Sequence, residues 1–242
     1  MSEVSSWQLR TQRPLYTVAE AAQVVHVPAS TMGTWVKGYR RQPRDGRPVI
    51  GEPIITSLKA SSRGMPSIPF IGTAEALVVA AVRRRGVLLQ RVRPALEILI
   101  QELGVEYALA SRRLFTDGAE ILFDYGDRFC DTEVGHAAME LVVVRNGQGV
   151  FAEVISDYLE RIDYATDGFA ERICVPPFEG GVIVADPKRA AGAPIFARGG
   201  ARVADAKSLL DAGESARTVS EEYGMPEEHL WDFLRATSSW AA

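Results

Sequence analysis

The sequence predicts an α+β chain in three parts: an N-terminal helix-turn-helix with a two-stranded wing, a central mixed hairpin region, and a C-terminal three-helix domain. Three observations carry this. The stretch "YTVAEAAQVVHVPASTMGTWVKGYRR", Tyr16 to Arg41, reads as two short helices joined by a tight turn. The dipeptides Asp117-Gly118, Asn146-Gly147 and Asp167-Gly168 punctuate the middle of the chain, and such pairs favour tight hairpin turns. Near the C-terminus, Gly213 and Gly224 stand where amphipathic segments stop, as helix-ending glycines do.

Taken in order, residues 1–14 are expected to be a flexible tail. Thr17 with Glu20 three positions later makes a capping box, which starts a helix with Ala19, Ala22 and Val25 on its apolar face. "HVPAS" is the turn. Pro28 suits the start of a second helix, which runs to about Lys37 before Gly38 stops it. Met32, Trp35 and Val36 form its buried stripe, leaving Ser30, Thr31, Thr34 and Lys37 outward. "QPRDGRPVIGEP" reads as loop. Two short strands near Ile54–Leu58 and Ser67–Phe70 are expected around a basic tip carrying Lys59 and Arg63. "TAEALVVAAVRRRG" is a helix with Gly86 as its stop. The next helix starts near Gln90, because Pro94 is tolerated only close to a first turn. From Arg112 the pattern shortens into hairpins, with one helix in "FAEVISDYLERI". Short strands and turns follow in "GGVIVADPKRAAGAPIFARGGARV". Three helices close the chain, near Val203–Ala212, Ala216–Tyr223 and Pro226–Ala236. The expected domains are 15–111, 112–180 and 181–242.

A chain of 242 residues is long enough to bury a sizeable core. Charge is unevenly spread along it. Residues 1–115 hold 16 Lys and Arg against 8 Asp and Glu, whereas residues 116–242 hold 11 against 23. A basic half favours a polyanion and an acidic half does not, so the split points to two jobs on one chain. The N-terminus lacks the apolar run of a signal peptide, and Gly72 and Glu75 interrupt the most apolar stretch. With Cys130 and Cys174 as the two cysteines, reduced thiols in a cytoplasmic protein without membrane association are expected.

Catalytic patterns are poor. His26, His136 and His229 lie in different segments without metal-ligand spacing, and no phosphate-cradling or nucleophile-elbow motif occurs. No catalytic residue, metal or cofactor is expected. Binding is better supported. A major-groove reader presents short polar and basic side chains from the exposed face of a helix. Ser30, Thr31, Thr34 and Lys37 fit that need. Arg40, Arg41, Arg44 and Arg47 just beyond can neutralise phosphates, and Lys59 and Arg63 can reach a neighbouring phosphate or the minor groove. Two-fold DNA sites would imply a homodimer, with the helix over 90–103 as one seam if its apolar stripe is not plain core.

Tyr16–Arg41 together with "IITSLKASSRGMPSIPF" and "GVLLQRVRPALEIL" resembles the winged helix-turn-helix domains of MerR-type regulators over about residues 16–103. There, two further helices carry a G-x-S-L-x-x-I-R-like segment, here Gly86 to Arg93, with Val87 and Leu89 displacing the usual pattern slightly. The C-terminal stretch resembles the small antitoxin domain of VapB-like partners of PIN-domain ribonuclease toxins. Asp186-Pro187, Gly192, Pro194, Arg202-Val203, Ala212 to Ser215 and Glu221 to Tyr223 carry that likeness, whereas "GGARVA" stands where "GTRVP" is usual. In this order the two parts resemble one long antitoxin type. The resemblance implies a type II antitoxin that neutralises a PIN-domain toxin and represses its own operon by binding double-stranded operator DNA. It also implies an arginine, Arg198 or Arg202, that enters the toxin's acidic metal site, and Trp231 as an anchor on the toxin. The alternative is a stand-alone MerR-like transcription regulator whose C-terminal region binds a small ligand.

Overall fold

The computed structural model describes residues 5–42, 48–84, 89–142, 160–178 and 180–238. The architecture is mixed helix and sheet. One continuous core runs from Tyr16 in the helix-turn-helix to Phe233 near the C-terminus. No helix among the described residues is long and apolar enough to cross a membrane.

The first structured segment corrects the expectation of a flexible tail. Helix α1 spans Ser6–Thr11 and is opened by a full capping box between Ser5 and Gln8. Trp7 packs on Tyr107 and Phe169, with ring centroids 5.8 and 5.1 Å away. The buried Arg10 ion-pairs with Asp167 and donates to the carbonyls of Phe169 and Ala170. The sequence carries few apolar residues here. A single aromatic and a single guanidinium supply the docking that periodicity does not reveal.

Helices α2 (Val18–Val24) and α3 (Ala29–Lys37) form the helix-turn-helix, and Thr17 and Glu20 make the expected capping box. Pro28 is the N-cap of α3, and Met32, Trp35 and Val36 are its buried residues. Gly38, at φ 70°, turns the chain sharply out of α3, where a β-carbon would lie 2.2 Å from the Gly51 carbonyl oxygen. The turn leads into a two-stranded antiparallel ribbon of β1 (Tyr39–Arg41) and β2 (Val49–Gly51).

This ribbon replaces the strand pair expected at 54–58 and 67–70. The backbone donors and acceptors of those segments are used elsewhere. Ile54 N–H donates to the Trp35 carbonyl, Thr56 N–H to the Glu75 carboxylate, and Ile68 pairs with Tyr16. Across the loop itself, Leu58 N–H donates to the Ser67 carbonyl at 2.7 Å.

Helix α4 (Phe70–Arg84) is the axle of the molecule, buried on all sides from Phe70 to Val82. A helix apolar all round belongs inside a core. Its stop at Gly86 lies outside the described residues. Helix α5 spans Leu89–Leu103 among the described residues and contains Pro94 near its beginning. Its Leu96, Leu99 and Leu103 are buried in the chain's own core, which answers the choice between a dimer seam and core packing in favour of core.

Asp117-Gly118 does not form a hairpin. A short 3₁₀ turn at Ala108–Ala110 leads into α6 (Arg112–Arg128), which runs straight through this pair and packs against α5 and against α7 (Glu133–Val142). Leu114, Gly118 and Leu122 recur at helical spacing on the buried side, and Arg113 ion-pairs with Asp117 one turn on. The helical period of the apolar residues outweighs the local turn preference. The Asn146-Gly147 turn and most of the helix expected in "FAEVISDYLERI" lie outside the described residues.

The Asp167-Gly168 hairpin does form. It joins β3 (Ile162–Tyr164) to β4 (Ala170–Cys174), and β5 (Ile183–Ala185) and β6 (Ile195–Phe196) extend them into a four-stranded antiparallel sheet in the order β3-β4-β5-β6. Helices α8 (Val203–Asp211), α9 (Ala216–Tyr223) and α10 (Glu227–Ser238) close the chain as expected. Phe233 of α10 meets Phe196 edge-on and stacks on Phe178, fixing the helices to the sheet.

Candidate nucleic-acid interface

Burial of Met32, Trp35 and Val36 turns the opposite side of α3 outward. Ser30 and Lys37 are exposed there, while Thr31 and Thr34 are half-buried. The Thr34 hydroxyl donates to the Ser30 carbonyl at 3.0 Å, so its proton is held within the helix. Thr31 accepts a hydrogen bond at 2.9 Å from Nη1 of Arg83, an exposed residue at the end of α4. A guanidinium therefore stands beside the first turn of α3, where helix N–H groups already favour an anion. Sequence reading passed over Arg83 as a contact. Its signal was a run of three arginines at the end of a helix too apolar to need them.

The next residue, Arg84, has a different task. Its Nη2 donates to the carbonyls of Val25 and His26, both at 3.0 Å. A cation is thus placed just past the C-terminus of α2, on its C-cap carbonyl and the next, where the helix dipole is negative. This staples the turn in which His26 takes a left-handed backbone at φ 56°. Burial, and then the nearby Arg84 charge, hold the His26 pKa below its usual value. Beside the turn lies a cleft of about 990 Å³ with Arg84, Arg161 and Arg172 among its walls.

The remaining basic candidates divide into two places. Arg40 is exposed on β1, directly opposite Ile50 of β2. Arg41 lies on the same strand, and Arg44 and Arg47 fall outside the described residues. Lys59 and Arg63 are exposed on the loop beyond Leu58, which is separate from the ribbon. The wing and the basic loop, expected as one feature, are two.

A second surface belongs to the C-terminal part. Arg198 is exposed in the turn after β6, which is closed by bonds from Gly200 N–H to the Phe196 carbonyl and from Phe196 N–H to the Ala201 carbonyl. Arg202, also exposed, is the N-cap residue of α8. Trp231 lies on α10, 47% exposed, and its indole N–H donates to Glu227 Oε1 at 3.1 Å. Among the described residues, no group of three or more His, Cys, Asp or Glu is placed to hold a metal ion.

Residues 14–96 match the family described as "Putative DNA-binding HTH domain". Along 96% of its length the chain is 41% identical to "Putative antitoxin VapB45" of Mycobacterium tuberculosis, covering 97% of that protein. The chain belongs to the VapB-like antitoxin family. A further relative, "Uncharacterized protein Rv2308" of the same organism, is 27% identical, with 94% of this chain and 92% of that protein aligned. The crystal structure of Rv2018 from M. tuberculosis superposes with a TM-score of 0.78 at 38% identity, over 93% of this chain and 99% of that one. The likeness to this family spans both the helix-turn-helix and the C-terminal helices.

Proposed function

We propose that the protein is a DNA-binding antitoxin that neutralises a PIN-domain ribonuclease toxin in the cytoplasm and represses its own operon. The observation that carries this reading is the near full-length identity to a protein named as an antitoxin, joined to an N-terminal helix-turn-helix. In this reading α3 enters the major groove and presents Ser30, Thr31, Thr34 and Lys37. Arg40, Arg41 and Arg44 sit on phosphates, and Lys59 and Arg63 reach the flanking backbone. Two copies bind a two-fold site. Charge reversal at Lys37, Arg40 and Arg41 together weakens binding to the DNA upstream of the gene and flattens its salt dependence, by a log–log slope of about 0.9 per lost phosphate contact. Unchanged affinity in that triple variant removes this face as the reader.

On the toxin side, Arg198 or Arg202 pairs with the clustered carboxylates of the nuclease through its planar guanidinium. Trp231 anchors the contact, in the manner of large aromatics at interface centres. Co-expression with an adjacent gene for a PIN-domain protein yields one complex on a sizing column. Separate elution of the two proteins refutes the antitoxin reading. The second reading, a regulator answering to a small anionic ligand, is favoured by the cleft walled by Arg84, Arg161 and Arg172. Calorimetric titration with nucleotides tests it.

A further inference from the structure

The most exposed large apolar side chain among the described residues is Ile50, at 59%. A single exposed isoleucine on a surface needs no explanation. This one has a defined position. It lies on the two-stranded ribbon that follows α3, and the register sets Ile50 directly opposite Arg40. Directly opposed residues of an antiparallel pair project from the same face. Arg40 is exposed as well, so that face carries one cation and one branched apolar side chain side by side.

The other face of the ribbon is fastened to the protein. Tyr39 is opposite Gly51, and the Tyr39 ring occupies the space a β-carbon on Gly51 would need, within 2.4 Å. The guanidinium of the buried Arg93 stands 5.7 Å from the Tyr39 ring centroid, and its Nη1 donates to the Glu52 carbonyl. An isolated two-stranded ribbon is marginal in water. This one is held from behind by an aromatic ring and a buried arginine, so the Arg40–Ile50 face is fixed outward. It begins two residues after Lys37, at the end of the helix proposed to read DNA.

We infer that this face is a minor-groove wedge: Arg40 sits at the phosphate-lined, electronegative groove edge while Ile50 is pressed against a base step, which it partly unstacks. The inference rests on the DNA-binding reading and deepens it. The charge pattern selects the occupant. Arg40 stands opposite Ile50, Lys37 is exposed two residues before the ribbon begins, and the first 115 residues carry an excess of 8 positive charges. A polyanion with an apolar interior complements that arrangement. Apolar wedges placed between base steps beside groove-bound arginines kink duplexes by tens of degrees, and the unstacking is offset by the contacts a bent duplex makes.

The test uses the full-length protein and end-labelled duplexes tiled across the DNA immediately upstream of its gene. Binding is read by anisotropy, bending by end-to-end energy transfer, and unstacking by 2-aminopurine placed at successive steps. Wild type binds one duplex specifically, bends it and brightens 2-aminopurine at one step. Ile50→Ala loses about tenfold in specific affinity, loses the bend and the fluorescence rise, and keeps the salt slope. Ile50→Leu restores the bend. Arg40→Gln instead lowers the salt slope by about one phosphate equivalent.

Wild-type binding with an unaltered bend in Ile50→Ala overturns the wedge and leaves the DNA-binding reading standing. Failure of wild type to bind any duplex removes both. If Ile50→Ala changes the molar mass in light scattering, or releases a co-expressed toxin while leaving the bend intact, the face is a protein interface and the wedge is overturned.

Discussion

Glu75 offers a direct test of how the base of the helix-turn-helix is held. It lies on the buried helix α4, where its carboxylate accepts the Thr56 N–H at 2.6 Å. Burial raises its pKa from the usual 4.5 to about 7, and the Thr56 bonds offset only part of that rise. In the unfolded chain the carboxyl ionises near 4.5, while in the folded protein it keeps its proton up to about pH 7. The folded state therefore binds more protons between these values. Stability contributed by the neutral carboxyl is fully present below about pH 4.5 and is lost as pH rises through about 7. At about 1.4 kcal/mol per pH unit, the loss across that window is about 3 kcal/mol. Glu75→Gln keeps an acceptor for Thr56 but cannot ionise. Urea unfolding of both proteins at a series of pH values isolates this one group, because every other titration cancels in the difference. Wild-type stability minus that of the variant falls by about 3 kcal/mol between about pH 4.5 and about pH 7.5. Any fixed cost of burying the extra amide shifts the whole curve and leaves its slope alone. A difference that is flat with pH refutes the argument, since Glu75 then titrates alike in both states.

Three further substitutions probe the packing that positions the proposed interface. Gly72→Ala places a β-carbon 2.2 Å from the Thr56 carbonyl oxygen, a backbone atom, and lowers stability by about 2–3 kcal/mol in urea unfolding. Arg10→Met leaves Asp167 without its cation and removes one donor from each of the Phe169 and Ala170 carbonyls, Phe169 keeping the Ala165 N–H, which costs about 2 kcal/mol and shows as faster amide hydrogen exchange across α1. Tyr16→Phe removes the 2.7 Å hydrogen bond to the Gly192 carbonyl and costs about 1–2 kcal/mol by the same unfolding assay, with the fold retained.

What the sequence made legible follows from the range of the forces involved. Capped helices with clean periodicity were readable. Thr17 and Glu20 opened α2, and the Met32, Trp35 and Val36 stripe oriented α3. Gly213 and Gly224 bounded the C-terminal helices. Local signals failed where a distant segment takes up the backbone groups. The strands expected at Ile54–Leu58 and Ser67–Phe70 give their hydrogen bonds to Trp35, Glu75 and Tyr16. The ribbon at 39–41 and 49–51 hides in a stretch whose proline and glycine content reads as loop. The turn preference of Asp117-Gly118 is small beside burial of Leu114 and Leu122. For the interface, the outward residues of α3 were legible because burial of their neighbours is periodic. Arg83 and Ile50 were not, because a run of three arginines does not tell which of them turns toward α3, and a lone apolar residue in a loop-like stretch carries no pattern.

The fastening of Tyr16 and Arg10 also bears on how the chain matures on the ribosome. Arg10 finds Asp167 across 157 positions, and Tyr16 finds Gly192 across 176. Contacts so distant along the chain carry a large loop-closure cost and form late. Trp7 and the Tyr16 backbone meet Tyr107 and Ile68 sooner, yet the hydrogen-bond partners of the Arg10 and Tyr16 side chains emerge only when most of the polypeptide has been made. These two side chains are therefore among the last to be secured, and a chain terminated before residue 167 offers neither hydrogen bond.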